Sequence, residues 1–401
     1  MLIGSNSHLS YCTNIHAGES WEAVFESVKT YCIPLKKKVS PHKPFGIGLR
    51  LSYQAASELI AENHLLIFKD WLQKNEMYVF TMNGFPYGNF HNEVIKDKVH
   101  LPDWTNPDRL NYTELLFNIL SQLLPPDIEG GISTSPLSYK HWYATENSLT
   151  EAKRTATSQL ITVVAQLVKI QESKGKMMHL DIEPEPDGII ESSDEYIAFF
   201  EDYLLKEGAS LLVKNLLCSL IQAQEYIRNH IQLCYDVCHF SIGFEESDEV
   251  IRKMQKHGLN IGKLQISAAL KCTVSENTTV EQLQKCLKTF DEPTYLHQAV
   301  IKTKEGALLK FKDLKNGIEA ISRDDFRELR THFHVPIFVE DYQLLQSTQN
   351  DITTILRSWH KNEFTRHLEI ETYTWQVLPI HLQTDLDQSI ERELKWVLDK
   401  L

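Results

Sequence analysis

The sequence predicts an α/β protein built as a (β/α)8 TIM barrel, with insertions after the third and seventh strands. Two observations predict it. Short apolar runs alternate with helical patterns along the whole chain of 401 residues, and several of the runs end in an acidic or imidazole side chain. The carboxyl ends of parallel barrel strands open at one face, where loops build the active site. Metal-binding side chains at several such ends therefore predict a coordination site assembled from many strands.

The alternation extends from one end of the chain to the other. Strand-like runs lie at 10–16, 45–52, 77–84, 130–137, 177–183, 231–237, 262–267 and 366–373. Helical patterns lie at 21–32, 55–73, 112–124, 148–174, 196–229, 248–256, 351–359 and 386–399. Residues 85–109 and 293–340 do not fit a minimal barrel, so we expect them to be insertions at the active-site face. Without a linker or composition break, 1–401 is expected to be a single domain.

The composition excludes several classes of function. The chain carries 41 Lys and Arg against 54 Asp and Glu, a net charge of −13, which argues against nucleic-acid binding. No apolar stretch approaches the roughly 20 residues of a membrane span. The first residues do not resemble a signal peptide, so a cytoplasmic location is expected. Seven scattered cysteines without a CxxC pair indicate reduced thiols.

Three carboxylates are predicted to meet at the barrel mouth. Pro184 ends regular pairing after Glu183, which places that carboxylate at the rim. Asp181 shares its face one layer deeper. Asp236 ends another apolar run, with His239 three residues on, and Glu371 lies beyond Glu369 on one face of the last strand. A solvated loop carboxylate for Glu183, and a turn-capping role for His239, are the simpler alternatives.

Further metal ligands are expected near the seventh strand. His332 and His334 alternate about Phe333, so extended backbone places both imidazoles on one face, as chelation requires. A surface His-x-His is the alternative. Gln265 is a poor ligand, and hydrogen bonding to backbone explains it nearly as well. The mixed oxygen and nitrogen set suits Mn²⁺, Co²⁺, Mg²⁺ or Zn²⁺, and flanking carboxylates can move a proton on a carbon next to the polarised group.

At these residues the chain resembles the xylose isomerase-like superfamily of barrels, which includes sugar and sugar-phosphate isomerases and epimerases, inosose dehydratases and endonuclease IV-type enzymes. Their fifth strand ends in Glu, the sixth in Asp-x-x-His and the eighth in Glu, matching Glu183, Asp236 with His239, and Glu371. An insertion after the seventh strand in some members matches His332 and His334. Gln265 stands where epimerases usually have His, and the second strand lacks the His of a three-zinc nuclease, so DNA repair is not expected.

Several longer sequence motifs resemble a narrower bacterial family, the metabolite traffic protein EboE. They are YCTNIHAGESW (11–21), MNGFPYGNFH (82–91), LPDW (101–104), STSPLSYK (133–140) and ETYTWQVLP (371–379). That family belongs to a gene cluster that also encodes prenyltransferase-like and cyclitol-synthase-like proteins. The resemblance implies a role in making or delivering a secondary-metabolite precursor, with possible contacts to other proteins of the cluster.

Three hypotheses follow. The first is a divalent-metal-dependent isomerase or epimerase of a sugar, sugar phosphate or cyclitol, with Glu183 and Glu371 as the acid/base pair. Residues expected to bind its substrate are His16, Asn83, Tyr87 and His91 at the mouth, Tyr373 and Trp375 as pocket walls, and Lys140 and His141 for a phosphate group. Turn contacts for His16 and ordinary packing for the aromatic residues are the alternatives. The second hypothesis is a non-catalytic binding or trafficking protein, and the third is a phosphoesterase acting on nucleic acid.

Overall fold

The structure is a computed structural model that describes residues 1–88, 96–273, 278–322, 325–375, 378–380 and 383–401. In these ranges the strands are, in chain order, β1 (Leu2–Ile3), β2 (Ser7–Tyr11), β3 (Phe45–Arg50), β4 (Met77–Asn83), β5 (Gly130–Thr134), β6 (Met178–Ile182), β7 (Ile231–Asp236), β8 (Ile261–Ile266), β9 (Ala269–Thr273), β10 (Ala299–Thr303), β11 (Leu308–Phe311), β12 (Phe326–His334), β13 (Asp341–Tyr342), β14 (Leu345–Ser347) and β15 (His367–Ile370).

Eight of these strands form a parallel barrel. Their order in the sheet is β2-β15-β8-β7-β6-β5-β4-β3, with the short β1 added antiparallel to β2. A parallel bridge from Cys12 to Gly48 and two hydrogen bonds of the Ser10 hydroxyl, to Gly46 O and from Gly48 N, close β2 against β3. The (β/α)8 barrel that the sequence predicts is therefore confirmed.

A glycine is required at this closure. A Cβ at Gly48 would lie 1.7 Å from Glu369 Oε1 and 2.7 Å from the Tyr11 carbonyl oxygen. Any side chain there would displace either the buried carboxylate or the neighbouring strand. The close approach of β3 to β2 depends on this missing side chain.

Helices cover the outside of the barrel. In the described residues they are α1 (Trp21–Val39), α2 (Tyr53–Ile60), α3 (His64–Lys74), α4 (Pro107–Leu123), α5 (Glu146–Lys174), α6 (Ser193–Phe199), α7 (Ala209–Leu216), α8 (Leu220–His230), α9 (Val237–Ile242), α10 (Ser247–His257), α11 (Val280–Leu287), α12 (Leu314–Ala320), α13 (Gln349–Lys361) and α14 (Leu386–Leu398). None of them is long and apolar enough to cross a membrane. All seven cysteines are free thiols.

Two helices expected to be continuous are broken. The pattern at 55–73 becomes α2 and α3, because Glu62 between them has a positive φ of 49°. The pattern at 196–229 divides into α6, a π-helical stretch Phe200–Gly208, α7 and α8. Leu217 ends α7 with a φ of 53°, and Ser219 begins α8 with a capping box. Apolar periodicity continues across such breaks, so periodicity alone does not reveal them.

The insertion after the seventh barrel strand is larger than predicted. It forms an antiparallel sheet in the order β11-β10-β12-β9-β14-β13, which begins at Ala269 rather than at residue 293. Only 267–268 separate its first strand from β8, so the apolar run of β9 gave no sign of a new sheet. Strand β12 carries His332 and His334 at its carboxyl end. The insertion after the third strand lies partly in 89–95, outside the described residues.

Candidate active site and metal centre

Glu183, Asp236 and Glu371, here called the carboxylate cluster, converge at the mouth of the barrel. Each lies at or just beyond the carboxyl end of its strand, β6, β7 and β15 respectively. The Gln265 amide nitrogen lies among them. It lies within hydrogen-bond distance of three acceptors, namely Glu183 Oε1 at 3.2 Å, Asp236 Oδ2 at 3.2 Å and Glu371 Oε2. An amide nitrogen carries two protons, so the cluster holds more acceptors than Gln265 can satisfy.

Burial and mutual repulsion shift the pKa values of the carboxylate cluster. Burial raises the pKa of Glu183 well above its usual range, and the charge of Asp236 raises it further. Burial likewise raises the pKa of Glu371, with Glu183 as the next cause. Burial also acts to raise the pKa of Asp236, but His239 and His334 beside it hold the value below normal. The cluster therefore retains protons unless a cation compensates its charge.

His239, His332 and His334, here called the imidazole cluster, lie against the carboxylates. One ligand nitrogen from each lies within 4.8 Å of the others. Each Nδ1 faces a carbonyl oxygen: Pro184 O at 3.1 Å for His239, Gln298 Oε1 at 2.9 Å for His332, and Glu371 O at 3.0 Å for His334. A carbonyl accepts only, so every Nδ1 carries the proton and every Nε2 presents a lone pair.

These lone pairs point at one another. His239 Nε2 and His332 Nε2 are 2.9 Å apart, and His334 Nε2 is buried with no hydrogen-bond partner among the described residues. Burial lowers the pKa of all three imidazoles, that of His239 to about 4, so the rings are neutral at neutral pH. Neutral imidazoles whose other ring nitrogen donates to a carbonyl or carboxylate oxygen are the usual ligands of Zn²⁺ and similar ions. The residues therefore fit a divalent metal.

One pocket, the mouth pocket, is lined by the whole imidazole cluster and by Glu183 and Glu371 of the carboxylate cluster, and it encloses about 630 Å³ of empty volume, including its opening. The residues that line it are Asn14, Asn83, Phe85, Pro86, Lys96, Val99, His100, Glu183, Glu185, His239, Tyr295, Leu296, Gln298, His332, His334, Glu371 and Tyr373. Lys96 is the only Lys or Arg in this set, and Asp313 pairs with it at 2.7 Å. Among the Asp, Glu, Lys and Arg residues of this set, the acidic ones thus predominate.

Several lining residues were not anticipated from sequence. Asn14 donates to Glu371 Oε1 at 2.7 Å, beside Asn83, which donates to the same oxygen at 2.9 Å. Glu185 pairs with His100 at 3.1 Å. Gln298 orients His332. Two features of the sequence could have indicated them. The repeated Glu-Pro of EPEP points to Glu185, and the position of Asn14 soon after the first strand points to the mouth of the barrel.

Two predicted substrate-binding residues line the mouth pocket, namely Asn83 and Tyr373. The Tyr373 ring lies 4.6 Å from that of His334, centroid to centroid. Trp375 instead packs on Phe338, at 6.2 Å between ring centroids, and does not line the pocket. His91 lies outside the described residues.

The other predicted contacts lie elsewhere. His16 hydrogen-bonds to the Tyr11 hydroxyl at 2.9 Å and stacks on Tyr31, so its ring faces the protein rather than the mouth pocket. Tyr87 stacks on Tyr53 at a centroid distance of 5.1 Å. Neither lines the pocket, because each ring packs on aromatic neighbours.

The residues expected to bind phosphate are already paired. Lys140 Nζ donates to Glu191 Oε2, and His141 Nε2 lies 2.9 Å from Asp187 Oδ1. The segment after Glu183 folds back to bring these carboxylates close, through hydrogen bonds such as Lys140 N to Asp187 O at 2.9 Å. Neither Lys140 nor His141 lines the mouth pocket.

A second polar layer lies below the carboxylate cluster. Asp181 accepts from His179 Nδ1 at 2.6 Å, and Lys263 Nζ donates to Glu369 Oε2 at 2.7 Å, with both members of the second pair fully buried. Asp181 and Glu369 thus occupy the deeper positions that strand alternation predicts.

Comparison with known proteins found only distant structural similarity. Neither a protein-family model nor a curated protein matches the chain. Similar solved structures include the probable 3-DHS dehydratase AsbF from Bacillus anthracis (9% identity, 98% of both chains, TM-score 0.46) and the IOLI protein with a binding zinc atom (10% identity, 98% of this chain and 97% of that one, TM-score 0.48). A xylose isomerase-like TIM barrel protein from Mycobacterium smegmatis in complex with magnesium gives 9% identity over 98% and 96%, with a TM-score of 0.48. At these identities the similarity is one of fold.

Proposed function

We propose that the protein is a divalent-metal-dependent isomerase or epimerase acting on an uncharged sugar or cyclitol. One observation carries the proposal: three neutral imidazoles with converging lone pairs lie against three buried carboxyl groups, and all of these residues except Asp236 line a single pocket. A site with this composition combines metal ligation with proton transfer.

The metal would be held by the imidazole cluster, together with Glu183, Asp236 and Glu371, and Gln265 would lie against it. Imidazole nitrogens favour Zn²⁺, Co²⁺ or Mn²⁺ over Mg²⁺. Such an ion, when bound, supplies Lewis acidity that polarises a carbonyl or hydroxyl oxygen of the substrate. Gln298 keeps the His332 ring in the ligating orientation through the 2.9 Å hydrogen bond to Nδ1.

Glu183 and Glu371 act as the proton-transfer pair. One carboxylate removes a proton from the carbon next to the carbonyl group, which leaves an enediolate. The other, as a carboxylic acid, returns a proton to the opposite face of that carbon in an epimerase. In an isomerase it returns the proton to the neighbouring carbon, while the hydroxyl proton passes from one enediolate oxygen to the other. The two carboxyl groups exchange roles, so protons balance over one turnover. Burial raises the pKa of both groups, so each of them can hold a proton for part of the cycle.

The charge of the pocket favours a neutral substrate. Three carboxyl residues, Glu183, Glu185 and Glu371, line it against one lysine, which is itself paired. A phosphate group in that surrounding would be repelled, and Lys140 and His141 face Glu191 and Asp187 instead. Hydroxyl groups of a polyol, in contrast, donate readily to carboxylate oxygens. Within this proposal the substrate is a precursor of a secondary metabolite, as the motifs similar to EboE suggest. The protein would act in the cytoplasm and contact other proteins of the same gene cluster.

The test is metal analysis combined with activity on a panel of ketoses and cyclitols. Glu183→Gln and Glu371→Gln together should abolish turnover, with each substitution costing roughly 100- to 10,000-fold. Glu191→Gln, outside the mouth pocket, is the matched control and should retain activity. A double variant that binds metal and turns over substrate like the unaltered protein would end the proposal.

A non-catalytic carrier is the second candidate, and Gln265 favours it. Its amide nitrogen occupies the point that all three carboxylates face. A carrier would show ligand-induced thermal stabilisation without turnover for any ketose or cyclitol, whichever divalent metal is supplied. Turnover of any compound on the panel would reject the carrier.

A further inference from the structure

A second group of potential ligands lies at the opposite, N-terminal face of the barrel. His179 comes from β6, His367 from the start of β15, and Glu129 immediately precedes β5. One ligand atom from each lies within 4.8 Å of the other two. We call Glu129, His179 and His367 the basal cluster. None of the three lines the mouth pocket.

Each imidazole of the basal cluster is held by one nitrogen only. His179 Nδ1 donates to Asp181 Oδ1 at 2.6 Å, and His367 Nε2 donates to the Glu129 carbonyl oxygen at 3.1 Å. His179 Nε2 and His367 Nδ1 have no hydrogen-bond partner in the described part of the chain, although the residues are only 1% and 0% exposed. Leaving two buried nitrogens unsatisfied is costly, so a missing partner is expected between them.

The approach of the two rings depends on a glycine. A Cβ at Gly131 would lie 2.5 Å from His179 Cε1, 2.8 Å from Asp181 Oδ2 and 2.8 Å from His367 Nδ1. Any side chain at Gly131 would therefore displace one of these groups. A histidine that binds a metal through one ring nitrogen usually donates its other N–H to a carboxylate or carbonyl oxygen, as both of these imidazoles do.

One member of the basal cluster, Glu129, reaches the protein surface. A cavity of about 1210 Å³ of empty volume, including its opening, lies at this face and is lined in part by His8, Tyr78, Glu129 and Arg366. Glu129 is about one quarter exposed, at 26%, and pairs with Arg366 at 3.3 Å. Its carboxylate thus belongs both to this cavity and to the basal cluster.

We propose that Glu129, His179 and His367 form a second divalent-cation site, separate from the mouth pocket. Two imidazole nitrogens and one carboxylate oxygen match the donor set of a Zn²⁺ site with one position left for water. The ion would tie β15 to β6 and to the start of β5 across the base of the barrel. The inference does not depend on the proposed function, because no residue is shared.

The experiment is titration of the EDTA-treated full-length protein with Zn²⁺, followed by calorimetry and elemental analysis. The unaltered protein should bind two equivalents. Glu129→Gln should lose one or bind it at least about 10-fold more weakly. Arg366→Gln is the matched control, because it removes the ion pair with Glu129 but no ligand, and it should keep both equivalents. The mouth variant His332→Ala/His334→Ala should retain the basal equivalent.

The outcomes separate the two sites. A basal equivalent that persists in the mouth variant and disappears in Glu129→Gln supports the inference even if the mouth binds nothing. A Zn²⁺ stoichiometry and affinity that Glu129→Gln leaves unchanged would overturn it. His367→Gln provides a second reading, since it removes a ligand nitrogen directly. Should that buried substitution prevent folding, the partly exposed Glu129 decides the matter alone.

Discussion

His239 and His332 face each other through their Nε2 atoms at 2.9 Å, although 93 positions separate them in the chain. Both Nδ1 atoms already donate to carbonyl oxygens, so this contact joins two lone pairs rather than a donor and an acceptor. Such an arrangement is unfavourable until a cation or proton lies between or beside the rings. The contact joins the barrel to its insertion at the point where the metal is proposed.

The orientation of His332 provides the first prediction. Gln298→Met removes the acceptor of the Nδ1 proton while keeping a side chain of similar length, so the ring loses its preferred tautomer. We expect metal affinity at the mouth pocket to fall roughly 10- to 100-fold, measured by competition with a chromophoric chelator. Gln284→Met in the same insertion is the control, since the Gln284 side chain donates to Ile318 O at 2.9 Å and does not line the mouth pocket. Equal affinities of the two variants would contradict the role of Gln298.

The second prediction concerns the acid/base pair. Asn14 donates to Glu371 Oε1 at 2.7 Å and so stabilises the ionised carboxylate. Asn14→Ala should raise the pKa of Glu371 further, because a hydrogen bond to a charged group contributes roughly 1.5 to 3 kcal/mol. The acidic limb of the pH profile of kcat/KM should therefore move to a pH higher by about one pH unit. Asn118→Ala, on an exposed face of α4, should leave the profile in place. An unshifted limb in Asn14→Ala would exclude Glu371 as the base.

The third prediction concerns the buried pair of Lys263 and Glu369. Lys263→Met leaves a carboxylate uncompensated inside the barrel and should lower the free energy of unfolding by about 3 to 5 kcal/mol. Lys263→Met combined with Glu369→Gln should recover much of this loss, because no net charge remains. Urea denaturation of the two variants measures the difference. A double variant less stable than the single one would contradict the electrostatic explanation.

The fourth prediction is a pH dependence of stability. Burial raises the pKa of Glu393 from 4.5 to about 8, while Thr372 Oγ1 and Ile337 N donate to its Oε1 at 2.7 and 3.2 Å. The folded state therefore binds a proton that the unfolded state releases between these two values. Stability contributed by Glu393 is present below its unfolded pKa and is lost as pH rises through the folded one, a change on the order of 4 kcal/mol.

Glu393→Gln tests this sign. The amide oxygen can accept both hydrogen bonds but cannot ionise, so the variant should lose less stability than the unaltered protein between about pH 5 and about pH 8. Thermal unfolding at the two pH values measures the difference. Parallel losses in the two proteins would exclude Glu393 as a source of the pH dependence.

The sequence predicts the positions of the metal-binding residues where local rules apply. Pro184 stops β6 at Ile182, which leaves Glu183 at the rim as expected. Asp236 ends β7 and its side chain accepts from His239 N at 3.1 Å, so Asp-x-x-His is both a helix cap and part of the site. His332 and His334 share a face because β12 is extended through both of them. Strand ends and alternation of period two are sufficient for these residues.

Other site residues depend on contacts between distant segments. Asn14 and Gln298 occupy positions that no local pattern distinguishes from ordinary polar loops, and their roles arise only once β2 and β10 are placed. The sequence does not reveal that Glu191 pairs with Lys140, because only the fold brings these two side chains together. The insertion began earlier than expected because β9 follows β8 almost directly, and an apolar run does not reveal the sheet to which it belongs.

The two halves of the proposed metal centre come from different parts of the architecture. Strands of the barrel supply every carboxylate, whereas β12 of the added sheet supplies two of the three imidazoles. The barrel strands alone offer oxygen donors, which suit a weakly held ion such as Mg²⁺. In the proposed site the added sheet would therefore set the metal preference, whereas the barrel strands would set the geometry of proton transfer.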